Sequence, residues 1–329
     1  MDFLVFNEAL RIRMVCAGLV VIGVSWAVGA FGPIVGGALA GLPMVMGPAF
    51  FFLVQHSSTD FIATTATYTL ISLCATQTFV LTYLFASRRH RPLPCLAISF
   101  GAWAVTAVLC RLLPPSILLG VLLFTAVTAG AIYVSRPLVV PSAKARGNAG
   151  WATLLLRGAL AGVLVATITT ASGWLGPSSA GILLAFPIGY TVIATTIHEK
   201  LGTASVIATL HAALLGGCSL AAFCLSMALL APQVAPMTAL MLATLASVGT
   251  TLALVLRSKW RKEAAQEKTA RKRVFLEVNE ARVYLAATSI PLNSPVAMRL
   301  LHSAGPVMCA LVPPASTATV TGMSTTSNS

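Results

Sequence analysis

The chain has 329 residues, of which 57% are hydrophobic and 9% are charged. A soluble domain carries about 25% charged residues, so this composition excludes a soluble globular protein. The net charge of +13 comes from 21 lysines and arginines against 8 acidic residues. Because the basic residues lie between long apolar stretches, they favour the cytoplasmic loops of a membrane protein over a nucleic-acid surface.

Nine stretches of the chain are apolar over about 20 residues, the length that a helix needs to cross a bilayer. The predicted spans are 14–31, 34–54, 61–86, 93–112, 116–135, 154–174, 178–197, 203–231 and 235–256. The fold class predicted from them is an all-α, polytopic transmembrane helix bundle.

A repeat divides the membrane part, because the sequence overlays on itself after a shift of 144 residues. Segments 13–43 and 157–187 share 11 identities in 31 positions, with arginine, glycine and proline in register. The shared motif is G-P-x3-G-x-L-x3-P. Its Gly32-Pro33 and Gly176-Pro177 pairs are interpreted as tight turns before a helix.

The repeat predicts four regions. Residues 1–135 form a first membrane repeat, 136–153 a cytoplasmic linker and 154–256 a second membrane repeat. A basic tail, 257–329, is predicted to be poorly ordered, although its charged segment 257–280 is also compatible with a solvated helix.

Five spans in the first copy, an odd number, would place the second copy upside down in the membrane. The architecture is therefore predicted as inverted repeats of five and four spans. With the N-terminus outside, twelve basic loop residues face inward and three face outward, as the positive-inside rule requires. A rival topology makes 34–54 and 178–197 re-entrant, with the N-terminus inside. This topology places nine basic residues inside and six outside. It agrees better with Arg11 and Arg13, which precede the first span and would then lie inside.

The second span of each copy is rich in helix-breaking residues. Proline removes a backbone donor, so Pro43 and Pro187 are predicted to interrupt their helices. Paired breaks at matching repeat positions indicate the central site of a transporter, which would include Gly47 and Gly189. We expect the two prolines to lie close together at mid-depth. The alternative is that the glycines serve close helix packing.

His211 is the one titratable residue deep inside a predicted span. An ionisable side chain within the membrane suggests function. If it serves transport, we expect Thr67, its counterpart in the first copy, or Gln77 within hydrogen-bonding reach, directly or through one water. The alternative is a structural histidine that hydrogen-bonds inside the bundle.

Several polar residues lie at span ends and are candidates for an entry or gate. His56 and Asp60 follow the second span of the first copy, and His198 and Glu199 occupy the same loop of the second copy. Arg13 and Arg157 occupy equivalent positions at the start of each copy, where they would bind an anionic substrate at a pseudo-symmetric entry. The alternative for all six is ordinary solvation or snorkelling at helix ends.

Enzyme signatures are absent from the sequence. No CxxC pair, zincin motif, GxSxG or P-loop occurs, and the cysteines lie mainly in apolar stretches. We therefore expect no catalytic residue, no metal and no cofactor.

Two resemblances bear on the class of membrane protein. The run Ala40-Gly41-Leu42-Pro43, continuing to His56 and a long third helix, resembles the small GlpM-type inner-membrane proteins. Ala185-Phe186-Pro187 to His198 would be its second copy, with a different proline-to-histidine spacing. This resemblance implies a location in the inner membrane. The five-helix inverted repeats are similar in architecture to drug/metabolite-type exporters.

Two functional hypotheses remain open from the sequence. One is a secondary transporter or exporter of an unidentified small molecule, working by alternating access between the repeats. The other is a non-transporting scaffold or accessory subunit in envelope or polysaccharide metabolism. Both place the chain in the inner (plasma) membrane, with the lipid bilayer as partner, no nucleic acid and a cytoplasmic C-terminal tail.

Overall fold

A computed structural model describes residues 43, 45–139 and 151–287, together with Val15 and Leu19 singly. Within these ranges the chain is helical and contains no strand. The seven α-helices described there are α1 (Met46–His56), α2 (Thr59–Ala86), α3 (Pro92–Arg111), α4 (Ile117–Ser135), α5 (Trp151–Leu184), α6 (Ile188–Leu230) and α7 (Pro236–Ala287). The all-α prediction is therefore confirmed for the described residues.

Five described segments are long and apolar enough to cross a membrane: Thr59–Ala86, Pro92–Arg111, Ile117–Leu138, Gly176–Leu230 and Pro236–Arg257. They make the chain an integral membrane protein by length and composition. The first three and the last agree within a few residues with predicted spans. The fourth has 55 residues and holds two predicted spans. The predicted span 14–31, apart from Val15 and Leu19, and residues 34–42 of the predicted span 34–54 fall outside the described residues, so the number nine stays a prediction.

Helix α2 is the centre of the bundle. It packs against α3, α4, α5 and α6, and 72% of its most apolar window is buried, against 22% for α3 and for α4. Four of the described aromatic side chains are fully buried: Phe79 and Tyr83 of α2 itself, Phe50 of α1 and Phe223 of α6. Helices α3 and α4 leave most of their apolar surface exposed, as expected of helices that face lipid.

Local sequence signals set the helix starts. The Ser58 side chain accepts a hydrogen bond from the Phe61 amide and caps α2. Ser116 caps α4 in the same way, and Pro92 occupies the first turn of α3, where its missing N–H leaves no bond unmade. The residue types at these ends thus fix where the spans begin.

Three interruptions shape the second half of the membrane part. Gly176 (φ 69°, ψ 168°) precedes Pro177 inside α5, at one of the predicted turns. The chain leaves helical geometry again at 185–187, between α5 and α6. Gly202 (φ 76°, ψ −179°) then divides α6 into residues 188–201 and 203–230. Both glycines adopt a region of backbone space that is nearly exclusive to glycine.

Helix bounds recur at the spacing of the sequence repeat. Thr59–Ala86 and 203–230 begin and end 144 residues apart, and so do the starts of α3 and α7, Pro92 and Pro236. The turns that follow also match, because the amide of Ser87 bonds to Tyr83 and that of Ala231 bonds to Met227. The sequence repeat is therefore accompanied by a repeat of local structure.

The two matched long helices contact each other in antiparallel fashion. Thr203, at the start of its helix, donates a hydrogen bond to the carbonyl of Ser87, just past the end of α2. Further in, Gln77 donates to the carbonyl of Leu214. One residue number rises as the other falls, so the helices run in opposite directions.

The described residues beyond Arg257 form a unit separate from the membrane part. The charged segment 257–280 is helical, as is the described part of the tail up to Ala287, although the tail as a whole was predicted to be poorly ordered. Charges four residues apart favour a helix, and Arg271 pairs with Glu267 at 2.7 Å. The side chains described between 266 and 273 are exposed, as expected of a solvated segment.

Candidate functional site

The helix interruption at 185–187 is the first element of the site. The Phe186 amide bonds to Leu183 and the Ile188 amide bonds to Phe186, so the regular four-residue pattern is lost here. The carbonyl of Ala185 instead accepts a hydrogen bond from the Thr76 hydroxyl of α2, at 2.5 Å. The prediction that Pro187 breaks its helix is confirmed, and a side chain of α2 satisfies one of the freed groups.

Aromatic rings surround this interruption. The Phe186 ring is stacked on Phe100, with centroids 5.4 Å apart, and meets Trp103 edge-on at 4.9 Å. Both partners lie on one face of α3, three residues apart. The break is therefore held between the hydroxyl of Thr76 on α2 and an aromatic wall on α3.

The buried side chain of Gln77 in α2 forms hydrogen bonds to both α4 and α6. Its Nε2 atom donates to Thr128 Oγ1 at 3.1 Å and to the carbonyl of Leu214 at 3.0 Å. Gly217 makes room for it, because a Cβ atom there would collide with Nε2 of Gln77. The amide N–H donors are thus committed to two neighbouring helices.

His211 lies in α6 and is half-buried. Its Nδ1 atom lies 2.8 Å from the hydroxyl of Ser135, the last residue of α4. Thr67 instead donates to Ala63 of its own helix, and Gln77 bonds to α4 and α6. We expected Thr67 or Gln77 to bond to His211, directly or through one water, in a transport role; the structure gives all three side chains other direct partners.

The candidate gate residues separate into two sets. His198 Nδ1 lies 3.3 Å from the hydroxyl of Tyr83, in the last turn of α2, and the neighbouring Glu199 is exposed. Asp60, in the first turn of α2, is exposed like the preceding His56. Asp60 and Tyr83 are about 35 Å apart along the helix at 1.5 Å per residue. The two sets therefore lie at opposite ends of the bundle.

The remaining candidates have simpler surroundings. Pro43 is buried, and its carbonyl accepts a hydrogen bond from the Gly47 amide at 2.7 Å. Gly189 lies in the first turn of α6. Arg13 and the side chain of Arg157 lie outside the described parts of the chain. The expected proximity of Pro43 to Pro187 stays a prediction.

Several polar contacts were not anticipated from the sequence. The hydroxyl of Ser219 in α6 lies within 2.9 Å of the hydroxyls of Ser247 and Thr251 in α7, and all three residues are buried. Ser135 and Tyr83 were also missed. A signal existed for α2, where Thr65, Thr69, Ser72 and Thr76 recur at helical spacing, but no signal identified partners on other helices.

Among the described residues, no group of three or more histidine, cysteine or acidic side chains is placed to hold a metal ion. No family model, curated protein or solved structure matches the chain. The functional argument therefore depends on the geometry of the helices and their polar contacts.

Proposed function

We propose that the chain is a secondary carrier of a small molecule, built from two inverted-topology repeats that move against each other. One observation carries this proposal: each copy presents the same series of elements. A proline precedes a short helix, a non-helical interruption follows, and a long helix begins. The short helices are Met46–His56 and residues 188–201, and the interruptions are residues 57–58 and Gly202.

The lengths of these elements support a carrier. A helix needs about 20 residues to cross a bilayer, and the 11 residues of α1 are too few. The helix 188–201 spans only about 21 Å at 1.5 Å per residue. Paired, discontinuous helices in two repeats are the arrangement from which transporters build their central sites. Antiparallel packing of Thr59–Ala86 on 203–230 is what an inverted pair requires.

The contacts at one end of α2 supply a gate in this proposal. Thr203 bonds to the carbonyl of Ser87, and His198 bonds to Tyr83. Each bond joins the first copy to the second, so this end must separate when the repeats rock. Arg88, Arg89, Arg91, Arg136 and Lys200 lie around it, and the positive-inside rule places it in the cytoplasm. The C-terminal segment is proposed to lie on the same side of the inner membrane.

The proposal is tested by locking the gate. In a cysteine-free background, S87C/T203C is oxidised to a disulfide, with S219C/S247C as a control pair that joins two helices of the same copy. The reporter is T67C, which replaces a buried residue and is probed with a water-soluble, membrane-impermeant thiol reagent from each side.

A carrier predicts that the gate disulfide stops labelling of T67C from the cytoplasmic side and increases labelling from the other side. The control disulfide should leave both rates unchanged. If T67C is unreactive from both sides whether or not the gate is locked, the carrier proposal fails and a rigid, non-transporting subunit is favoured.

A further inference from the structure

Four hydroxyl side chains form a buried stripe on one face of α2. Thr65, Thr69, Ser72 and Thr76 follow each other at intervals of four, three and four residues, which places them on the same side of a helix. Their exposed fractions are between 0% and 5%. We call these four residues the hydroxyl stripe.

The hydroxyl stripe faces the end of α5 and the interruption that follows it. A Cβ atom at Gly181 would touch the Thr65 carbonyl and the Thr69 amide, so the backbones are in close contact there. Four residues beyond Gly181, the carbonyl of Ala185 accepts the hydrogen bond of Thr76. Ser72 lies between these two contacts on the same face.

Three polar atoms in this region are buried and unpartnered. They are Thr65 Oγ1, Ser72 Oγ and Trp103 Nε1, the buried side-chain atoms without a hydrogen bond in the described part of the chain. Leaving a buried donor unpaired costs about 1–3 kcal/mol, so each of these groups calls for a partner, and a bound molecule would supply one. Ser72 lies between the contacts of Gly181 and Ala185, and Trp103 packs on Phe186, next to Ala185. Ser72 Oγ and Trp103 Nε1 therefore belong to the surroundings of the break.

We propose that a small, uncharged polyhydroxy solute binds at the break, between Ser72, Trp103 and the Ala185 carbonyl. This inference names the substrate class of the proposed carrier and rests on that function. Trp103 supplies a donor, Ala185 an acceptor, and Ser72 a group that both donates and accepts. A solute hydroxyl, which also donates and accepts, matches each of them.

The distribution of charge selects a neutral solute. Between residues 45 and 139 and between 151 and 257, the acids are Asp60 and Glu199, and both are exposed near helix ends. The described lysine and arginine side chains in these ranges lie at or just beyond helix ends, except Arg257, which ends the apolar part of α7. A charged solute at the break would lose its hydration without gaining a partner of opposite charge.

Labelling of S72C tests this site, with xylitol as the probe and S99C as the matched control. Ser99 is equally buried, but its hydroxyl already donates to Cys95 in its own helix at 2.7 Å. In reconstituted full-length protein without other cysteines, we expect a neutral thiol reagent to modify S72C and leave S99C unmodified. Xylitol at ten times its dissociation constant should slow modification of S72C about tenfold.

Two further variants complete the test. T65C is a second reporter on the same face, in case S72C is not produced as folded protein. W103F keeps an aromatic ring but replaces the indole and removes its N–H, and it should weaken the protection by xylitol while labelling continues. Labelling without any protection by xylitol would overturn the proposed solute class.

The outcome for the site is separable from that for the carrier. If T67C is exposed alternately while S72C and T65C both stay unmodified, the binding site is overturned and the carrier proposal stands. If T67C is never exposed, both proposals fail.

Discussion

The hydroxyl of Thr76 donates a hydrogen bond to the backbone carbonyl of Ala185, 109 residues further along the chain. This contact joins the central helix of the bundle to the break at 185–187, which ends at Pro187. Lipid offers no hydrogen-bond partner, so a helix break persists only where protein groups or a water-filled cavity satisfy the backbone.

Replacing Thr76 with valine should therefore destabilise the protein by about 1–2 kcal/mol, because the shape is kept and the hydroxyl is lost. Thermal unfolding of the purified protein in detergent measures the change, and T76S should restore most of the stability. T106V is the control, since Thr106 bonds only to Ala102 in its own helix. Equal losses in T76V and T106V would contradict a role for Thr76 at the break.

Gly217 should tolerate no larger residue. In G217A the new methyl group would displace Gln77, which then loses its bonds to Thr128 and Leu214. We expect a loss of about 1–3 kcal/mol, typical of overpacking in a filled interior. G130A is the control, because a Cβ atom there meets nothing within 4 Å. A G217A protein as stable as G130A would show that Gln77 is not fixed.

Gly202 should resist substitution for a different reason. A Cβ atom at Gly202 would meet nothing within 4 Å, but the φ of 76° and ψ of −179° strain any other residue. G202A and G202N should each lose about 1–3 kcal/mol of stability. G249A, at an open position without positive φ, should be neutral by the same thermal assay. Equal stability of G202A and wild type would mean that the interruption relaxes into a continuous helix.

The His211–Ser135 contact is suited to a double-mutant cycle. We expect H211L and S135A to show a coupling energy of about 0.5–1.5 kcal/mol, the range found for hydrogen bonds between membrane helices. H211L and T67A should be additive within about 0.5 kcal/mol, because the structure pairs these residues with different partners. H211Q keeps a hydrogen-bonding group and should retain more stability than H211L. A coupling of zero with S135A would rule out a structural role for the contact.

The proposed orientation of the helix bundle in the membrane gives a prediction for labelling in intact cells. Arg89 and Arg136 follow the ends of α2 and α4, whereas Arg111 ends the antiparallel α3. With the basic end in the cytoplasm, an impermeant maleimide applied outside should label R111C and leave R89C and R136C unmodified. Disruption of the cells should make all three reactive. The reverse pattern in intact cells would invert the proposed topology.

The sequence predicted both ends of α2, α3 and α4 within two residues, but few of the contacts between helices. Pro92, Ser58 and Ser116 are local signals for helix starts, and the 144-residue shift relates Thr59–Ala86 to 203–230. The pairing of His211 with Ser135 was not predictable, because it depends on how each helix is rotated about its axis. A soluble helix reveals that rotation by an apolar stripe, whereas a membrane helix is apolar towards lipid and towards its neighbours.

The place of Gln77 in the chain has a consequence for biosynthesis. One of its partners, Leu214, is 137 residues further on, which a ribosome takes roughly 7–27 s to reach at about 5–20 residues per second. During that interval the Gln77 amide has yet to meet its partner on α6. Gln77 itself lies in α2, the least apolar of the five segments able to cross the membrane. We therefore expect newly made α2 to be less stable in lipid until α6 emerges.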